Sequence, residues 1–481
     1  MAKRITFAEV DEVNHPTATY IYSEEPGRID VTHSHSPSWS LRSLKALLVE
    51  VFLPAGYPHS VTDDYTAYQI FDSLQAFCSS IAGLLSSRAV LQGVGVGNAT
   101  ASPTSALLLH ILQDTSGRLA TILFAHRAGT ALEPDSKTYR FAADIFNDAA
   151  MLLDCLSPGV PAGVPRVTVL SAAGTLRALC GVAGGSAKAS LSAHFARGAG
   201  AGGSNLAEVN AKDSAQETVI SLLGMLVGSL VVSCVSAPRA TWLALLGLLA
   251  VHLRLNYAAV RAVQLSSLNR HRATLVFSAL LAADPAVRDC CVRPCGPDGE
   301  ELRLSPPSPS STAPAPAGGP LALTPREIAR RERIFAPGDR LFWTDGTELG
   351  RCRIGVSLAE VGLGRTRVPL GRLATLFRDE AYMLFGGGEP GSWTVVLKTG
   401  CTARARLKAW MQALLVAWVL SVAGEKKNEG DRVLDVVAAT LAFLNEHARM
   451  DRYLEALERA GWDVDVAALE TRPGRRITWE L

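Results

Sequence analysis

Hydrophobic and polar positions follow two different rhythms along the chain. Tyr68–Leu91 is apolar or small at nearly every position except Gln69, Asp72, Gln75, Arg88 and its serines. Three-residue steps from Gln69 through Asp72 to Gln75 put a polar stripe on one face of the predicted helix. Pro103 opens a second segment to Phe124, interrupted by QDTSGR at Gln113–Arg118, where Asp114 and Arg118 stand four apart, the spacing at which a helical carboxylate meets a guanidinium. In Tyr139–Leu156, Arg140, Asp144 and Asp148 climb in four-residue steps on an otherwise apolar helix. That ladder fits either the solvated face of a surface helix or a polar seam inside a bundle.

Further on, Val167–Ala196 is rich in Gly, Ala and Ser, a composition that weakens a helix in water but lets membrane helices approach closely. Val219–Val235 has no charge and sets Gly224 and Gly228 in GxxxG spacing for helix packing; Thr241–Val251 follows after the short turn Ser236–Ala240. The pair predicts a transmembrane hairpin once flanking residues extend each run toward the ~20 residues that span a bilayer. Lys188, Arg197 and Lys212 precede it and Arg254, Arg261, Arg270 and Arg272 follow, while the turn holds only Arg239, so both ends are expected on the cytosolic side. The competing reading is a buried helix pair in a large soluble core.

The rhythm changes after Ser305–Pro320, a Pro/Ser/Ala run that reads as a linker. Beyond it, strands are predicted at Arg351–Leu358, Tyr382–Phe385, Trp393–Lys398 and Arg476–Trp479, and helices at Ala403–Val422, Asp431–Arg449 and Asp451–Ala460. The apolar Ala409–Val422 is either a short span or, given the adjacent strands, a helix packed on a small sheet. The pattern predicts a mainly α protein: a polytopic helical, transmembrane bundle followed by a smaller α+β C-terminal domain. Its parts are a polar segment (1–49, with TATYIY at Thr17–Tyr22 its only strand-like run), a helical membrane domain (50–285), a linker (286–323) and the C-terminal domain (324–481).

Composition agrees. Hydrophobic residues make up 48% and charged ones 19% of the 481, below the usual quarter, and mean hydropathy is +0.18. A net charge of +2 argues against nucleic acid as a partner and leaves membrane lipid as the expected one. Nine largely scattered cysteines suit a reducing compartment. The N-terminal residues, with Glu9, Asp11 and Glu12, resemble neither a cleaved signal nor a transit peptide, and the organelle is left open. Gly93, Gly95 and Gly97 follow a helix rather than a strand, so they read as a turn and not a phosphate loop. Cys290, Cys291 and Cys295 lack a fourth ligand at zinc spacing, and no metal is expected.

GYPHSVTDDYTAYQ at Gly56–Gln69, FDSLQAFCSS, AVLQGVGVG, DIFND at Asp144–Asp148, NAKDSAQET at Asn210–Thr218 and NYAAVRAV at Asn256–Val263 resemble the root UV-B sensitive (RUS) family, in order, across residues 50–285. Asn98, Thr115 and Ser214 depart from its usual pattern. The resemblance implies a membrane-associated protein linked in plants to vitamin B6 homeostasis, UV-B responses and early seedling development, with no active site to carry over. Candidate residues for a polar path or ligand site are therefore Asp72, Gln75, Asp114, Arg118, Asp144, Asp148, Lys212 and Asp213. No cofactor is expected; pyridoxal phosphate or another B6 vitamer is the candidate ligand. The functions in view are a carrier or sensor of such a metabolite, and a non-catalytic membrane-anchored scaffold that binds partners, including other RUS-family chains as homo- or hetero-oligomers, through its C-terminal domain. A pyridoxal-phosphate enzyme is a third, with Lys212 and the glycine loop as its only candidates.

Overall fold

The computed structural model describes residues 4–10, 16–23, 28–33, 48–93, 103–196, 205–290, 322–362, 370–386, 391–422 and 430–478. The Gly95 and Gly97 turn, Cys291, Cys295, the glycine run 198–203 and the linker 305–320 lie outside them. The chain divides into two compact units, Met1–Phe124 with Tyr139–Val263, and Ala125–Thr138 with Gln264–Leu481. Residues 264–285, grouped above with the membrane domain, therefore pack in the second unit.

In the first unit an antiparallel meander of β1 (Arg4–Val10), β2 (Pro16–Ser23) and β3 (Arg28–His33) precedes the helices. Only β2 was foreseen; the other two are short, with Ile5 and Phe7 and with Ile29 and Val31 as their alternating large apolar residues. The helices are α1 (Tyr65–Gly93), α2 (Pro103–Ala128), α3 (Ser136–Leu156), α4 (Val164–Phe195), α5 (Leu206–Cys234) and α6 (Pro238–Ala262). At 25 to 32 residues, α1, α4, α5 and α6 are long and apolar enough to cross a membrane, since ~20 residues at about 1.5 Å each suffice. The polar stretch before Val219 is itself the start of α5, which brings that run to spanning length. Helix α2 passes through QDTSGR without a break: Gly117 there leaves room for the approach of Ala178 and Gly174 on α4.

Helix α1 is the hub, with its most extensive packing against α6 and α5. A Cβ at Gly224 would lie 2.6 Å from Ser80 Cβ, and one at Gly228 2.7 Å from Leu84 Cδ1, so the GxxxG face of α5 meets α1 backbone to backbone. Arg88 of α1 then donates to the Val232 and Val235 carbonyls at 2.8 and 2.7 Å and to Thr241 Oγ1 at 2.8 Å, closing the α5–α6 turn. Leucine and isoleucine remain on the outside, among them Leu108, Ile122 and Leu123 on α2 and Leu226 and Leu230 on α5.

Beside a parallel pair of β4 (Ser267–Asn269) and β9 (Asp463–Ala468) and the short helices α8 (Pro285–Cys290), α9 (Pro325–Arg331), α10 (Leu358–Val361) and α11 (Leu370–Leu376), the second unit holds a mixed sheet of β5 (Arg340–Phe342), β6 (Glu348–Ile354), β7 (Tyr382–Gly386), β8 (Ser392–Lys398) and β10 (Arg476–Ile477). Its central strand β8 runs parallel to β6 and antiparallel to β7. Helix α7 (Arg270–Ala283) and the later α12 (Ala403–Val422) pack together, with Trp410 Nε1 donating to Thr274 Oγ1 at 3.0 Å. Trp410, Met411, Leu414 and Val416 are fully buried, so α12 is apolar because a core surrounds it, and its composition needs no lipid. The expected helices near 431–449 and 451–460 stand as Gly430–Asn445 and Arg449–Arg459.

A charge lock sits in this unit. Glu332 accepts from Lys137 Nζ at 2.6 Å and from Arg272 Nη1 at 2.7 Å, all three side chains being nearly inaccessible. Burial alone would raise its carboxyl, but the Arg272 and Lys137 cations outweigh burial and hold it at about 2, below the ordinary 4.5. A depressed carboxyl contributes stability that is complete above pH 4.5 and is lost as pH falls toward 2.

Two predictions follow from this packing. Glu332→Gln leaves two buried cations short of a counter-charge and lowers stability by about 3–5 kcal/mol; tryptophan-monitored unfolding at neutral pH should read that loss, and the variant's stability should decline less steeply than the wild type's between pH 4.5 and 2. Gly224→Val should cost about 1–3 kcal/mol by overpacking α5 on α1, whereas Gly247→Ala, whose new methyl meets nothing within 4 Å, should be neutral or mildly stabilising in the same melts.

Candidate functional site

The three- and four-residue steps read from the sequence converge on one line of charge inside the helical unit. Arg140 of α3 is its centre. Its Nη2 donates to Asp72 Oδ1 on α1 at 2.7 Å, its Nη1 to Asp144 Oδ2 one turn along α3 at 2.8 Å, and its Nε to the Tyr68 hydroxyl at 3.4 Å. Gln75 Nε2 donates to the same Asp72 oxygen at 3.2 Å. Tyr68, Asp72 and Gln75 share a face of α1 because they are spaced four and three apart.

One turn further on α3 stands Asp148, 3% exposed, and opposite it His252 of α6, 1% exposed. His252 Nδ1 lies 2.8 Å from Asp148 Oδ1, and its Nε2 lies 3.9 Å from Asp144 Oδ2. The close pair is out of line for a hydrogen bond, and neither Asp148 oxygen nor His252 Nδ1 has another. Asn256 continues the buried stripe of α6 by one turn, and neither its amide nitrogen nor its oxygen is hydrogen-bonded. Unsatisfied polar atoms this deeply buried are rare in folded proteins.

Separate charge pairs tie other helices together. Asp213 of α5 accepts from Gln69 of α1 at 2.8 Å and meets Lys188 of α4 at 2.7 Å, and Lys188 also reaches Glu217 at 2.7 Å. Asp154 of α3 accepts from Ser86 at 2.9 Å and pairs with Arg177. Near the start of α1, His194 Nε2 lies 3.0 Å from Asp64 Oδ2.

Of the residues singled out from the sequence, Asp72, Gln75, Asp144 and Asp148 meet in one seam, while Asp213 belongs to the neighbouring Lys188 cluster. Lys212, on the outward side of the same turn, is directed to the Glu50 carbonyl. Asp114 and Arg118 pair at 2.8 Å as their spacing implies, but with side chains 54% and 78% exposed they lie on the outer surface and take no part in the seam. Arg140, Tyr68, His252 and Asn256 were not among those candidates. Arg140 shares the ladder of Asp144 and Asp148, whose spacing alone does not separate a wet face from a dry one. His252 and Asn256 are polar residues four apart at the end of an apolar hairpin, and that oddity was a legible signal. Among the described residues no group of His, Cys, Asp and Glu is arranged to hold a metal ion.

The arrangement defines a class: a mainly α-helical protein with a charged seam within a bundle of membrane-length helices, and a smaller α+β unit. The family model for the vitamin B6 photo-protection and homoeostasis domain matches residues 38–284, just over half of the 481-residue chain, and the chain belongs to this root UV-B sensitive (RUS) family. RUS family member 1 of Dictyostelium discoideum is 45% identical over 235 residues, 48% of this chain and 43% of that protein. Protein root UVB sensitive 3 of Arabidopsis thaliana is 36% identical over 232 residues, covering 48% and 51%. Protein root UVB sensitive 5 of the same plant is 24% identical over 449 residues, covering 90% and 76%. The first two matches thus span about half the length of those relatives. No solved structure matches the chain.

Arg140 decides whether the seam holds. Arg140→Met leaves Asp72 and Asp144 facing each other without a cation and should lower the melting midpoint of the detergent-solubilised chain by an amount equivalent to about 3–5 kcal/mol. Adding Asp72→Asn to that variant should restore part of the loss; a double-variant loss equal to the sum of the Arg140→Met and Asp72→Asn losses would show that the two groups act independently.

Proposed function

We propose that this chain is an integral membrane protein that carries or senses a small polar metabolite, a B6 vitamer in the light of its family, by way of the Asp72–Arg140–Asp144–Asp148–His252 seam. The single observation behind this reading is the seam itself. Charge inside a bundle with leucine on its outer faces is costly to keep, and such charge commonly lines a path for ions or polar solutes. The outward leucines and the four membrane-length helices of the first unit support the membrane setting.

The balance of charge narrows the ligand. Three carboxylates face one guanidinium and one imidazole, so the seam favours a neutral or cationic solute over a phosphate dianion. Unphosphorylated vitamers such as pyridoxine and pyridoxamine fit that charge, and pyridoxal phosphate does not. No catalytic role is assigned. Neither lysine near the seam suits a Schiff base: Lys188 is paired with two carboxylates and Lys212 lies outside.

A scaffold role is the second reading, supported by an apolar pocket of about 290 Å³ on the C-terminal unit, lined by Leu358, Leu370, Met383, Phe385 and Ile477. A partner there, including another RUS-family chain, would use apolar contacts.

Uptake by the purified chain in lipid vesicles separates the two. Labelled pyridoxine or pyridoxamine should enter wild-type vesicles faster than pyridoxal phosphate, and Asp72→Asn should slow that entry by roughly tenfold at equal protein content, a loss of ~1.4 kcal/mol. Vesicles no more permeable than empty ones, with no vitamer bound by the protein, would discard the carrier and sensor reading and leave the scaffold.

A further inference from the structure

His252 has a carboxylate at each ring nitrogen. Asp148 and Asp144 are successive rungs of one ladder on α3, and the imidazole, brought in on α6, stands against both, 2.8 Å from Asp148 Oδ1 at Nδ1 and 3.9 Å from Asp144 Oδ2 at Nε2. Among the described residues, the groups coupled to that ladder are Tyr68 and Asp72 of α1, which meet Arg140, Arg140 itself on α3, and Cys180 of α4, while Asn256 lies one turn along α6 from His252.

Counting charge isolates one pair. The guanidinium of Arg140 is divided between Asp72 and Asp144, which leaves Asp148 with His252 as its nearby counter-charge. A carboxylate so deeply buried must be matched, and the imidazole 2.8 Å away can supply that match by sharing a proton with it. A second observation points to an exchangeable occupant. Asp148, His252 Nδ1 and both amide atoms of Asn256 are almost wholly buried and lack hydrogen bonds, so the ring is not locked in one tautomer by a fixed partner.

We infer that Asp148, His252 and Asp144 form a proton relay within the bundle, so that movement of a solute along the seam is coupled to movement of a proton. In the transfer, the imidazole first turns to bring Nδ1 into line with Asp148 and Nε2 within hydrogen-bond reach of Asp144, and the O–H bond of protonated Asp148 then breaks as an N–H bond forms at His252 Nδ1. The N–H bond at Nε2 breaks as an O–H bond forms at Asp144 Oδ2. The imidazole begins and ends neutral, one carboxylate loses the proton that the other gains, and the reverse transfer restores the first tautomer. The chemistry of the relay stands on the seam alone; its use in transport rests on the carrier reading above.

The test uses the full chain and two readouts. Infrared difference spectra between pH 5 and pH 8 should show the carbonyl stretch of a protonated carboxyl in the wild type. Asp148→Asn should abolish or markedly shrink that band, and His252→Gln should shift it. In vesicles loaded with a pH-reporting dye, added pyridoxine should change internal pH, and His252→Gln should reduce that response at least tenfold per pyridoxine molecule taken up. If His252→Gln does not yield folded protein, Asp144→Asn takes its place in both measurements. A band that responds to Asp148→Asn without vitamer uptake upholds the relay and removes the carrier. Uptake with no pH change, and with no band altered by these substitutions, keeps the carrier and overturns the relay.

Discussion

One guanidinium sets the geometry of the helical unit. Arg140 reaches a carboxylate on its own helix and another on α1, and the planar fork that does so tolerates little displacement of either helix. Because stranding either aspartate is expensive in a dry interior, α1 and α3 are fixed in register before any apolar contact is counted. Other contacts extend from that fixed pair. The opposite side of α1 accepts the glycine face of α5, and Arg88, farther along α1, ties the carbonyls at the end of α5 to the start of α6. Helix α6 in turn presents His252 to the ladder where Arg140 no longer reaches.

Buried charge is handled in two ways in this chain. In the second unit Glu332 is enclosed by two cations, and its carboxyl remains ionised far below the pH of any cell. That arrangement has no freedom left and serves packing. The seam of the first unit has the opposite balance, with carboxylates in excess and several polar atoms without hydrogen bonds. Stability alone would favour replacing such groups with apolar ones. Their presence in the same molecule as the Glu332 lock is the contrast on which the proposed role of the seam rests.

Much of this was legible in the residues, and the rest was hidden for identifiable reasons. Uncharged runs and GxxxG spacing gave the α5–α6 hairpin, and alternating positions gave β7 and β8, because each of these signals is local. The ladder of Asp144 and Asp148 was visible, but its dryness depends on α1 and α6, which are far away in sequence. Asp114 and Arg118 satisfied the same spacing rule and ended on the surface, so spacing alone is indifferent to burial. For the apolar α12 a span and a helix packed on a small sheet were both compatible with composition, the neighbouring strands favoured the second, and its burial agrees with that. The N-terminal meander escaped in part because β1 and β3 are short runs whose alternation rests on two large apolar residues each, Ile5 and Phe7, and Ile29 and Val31.

The family match and the compact units do not end at the same residue, and the lock explains the difference. The match runs to residue 284, while the first unit ends at Val263. What lies between includes Arg272, and earlier in the matched region lies Lys137; both are counter-charges of Glu332, which stands beyond the match. The family domain therefore contributes two buried cations that both pair with a carboxylate from the following sequence. A segment ending near 284 would carry Lys137 and Arg272 without that carboxylate, and unmatched cations are poorly tolerated away from water. The conserved name of the domain covers a stretch of sequence, whereas the folding unit that satisfies its charges extends into the C-terminal part of the chain.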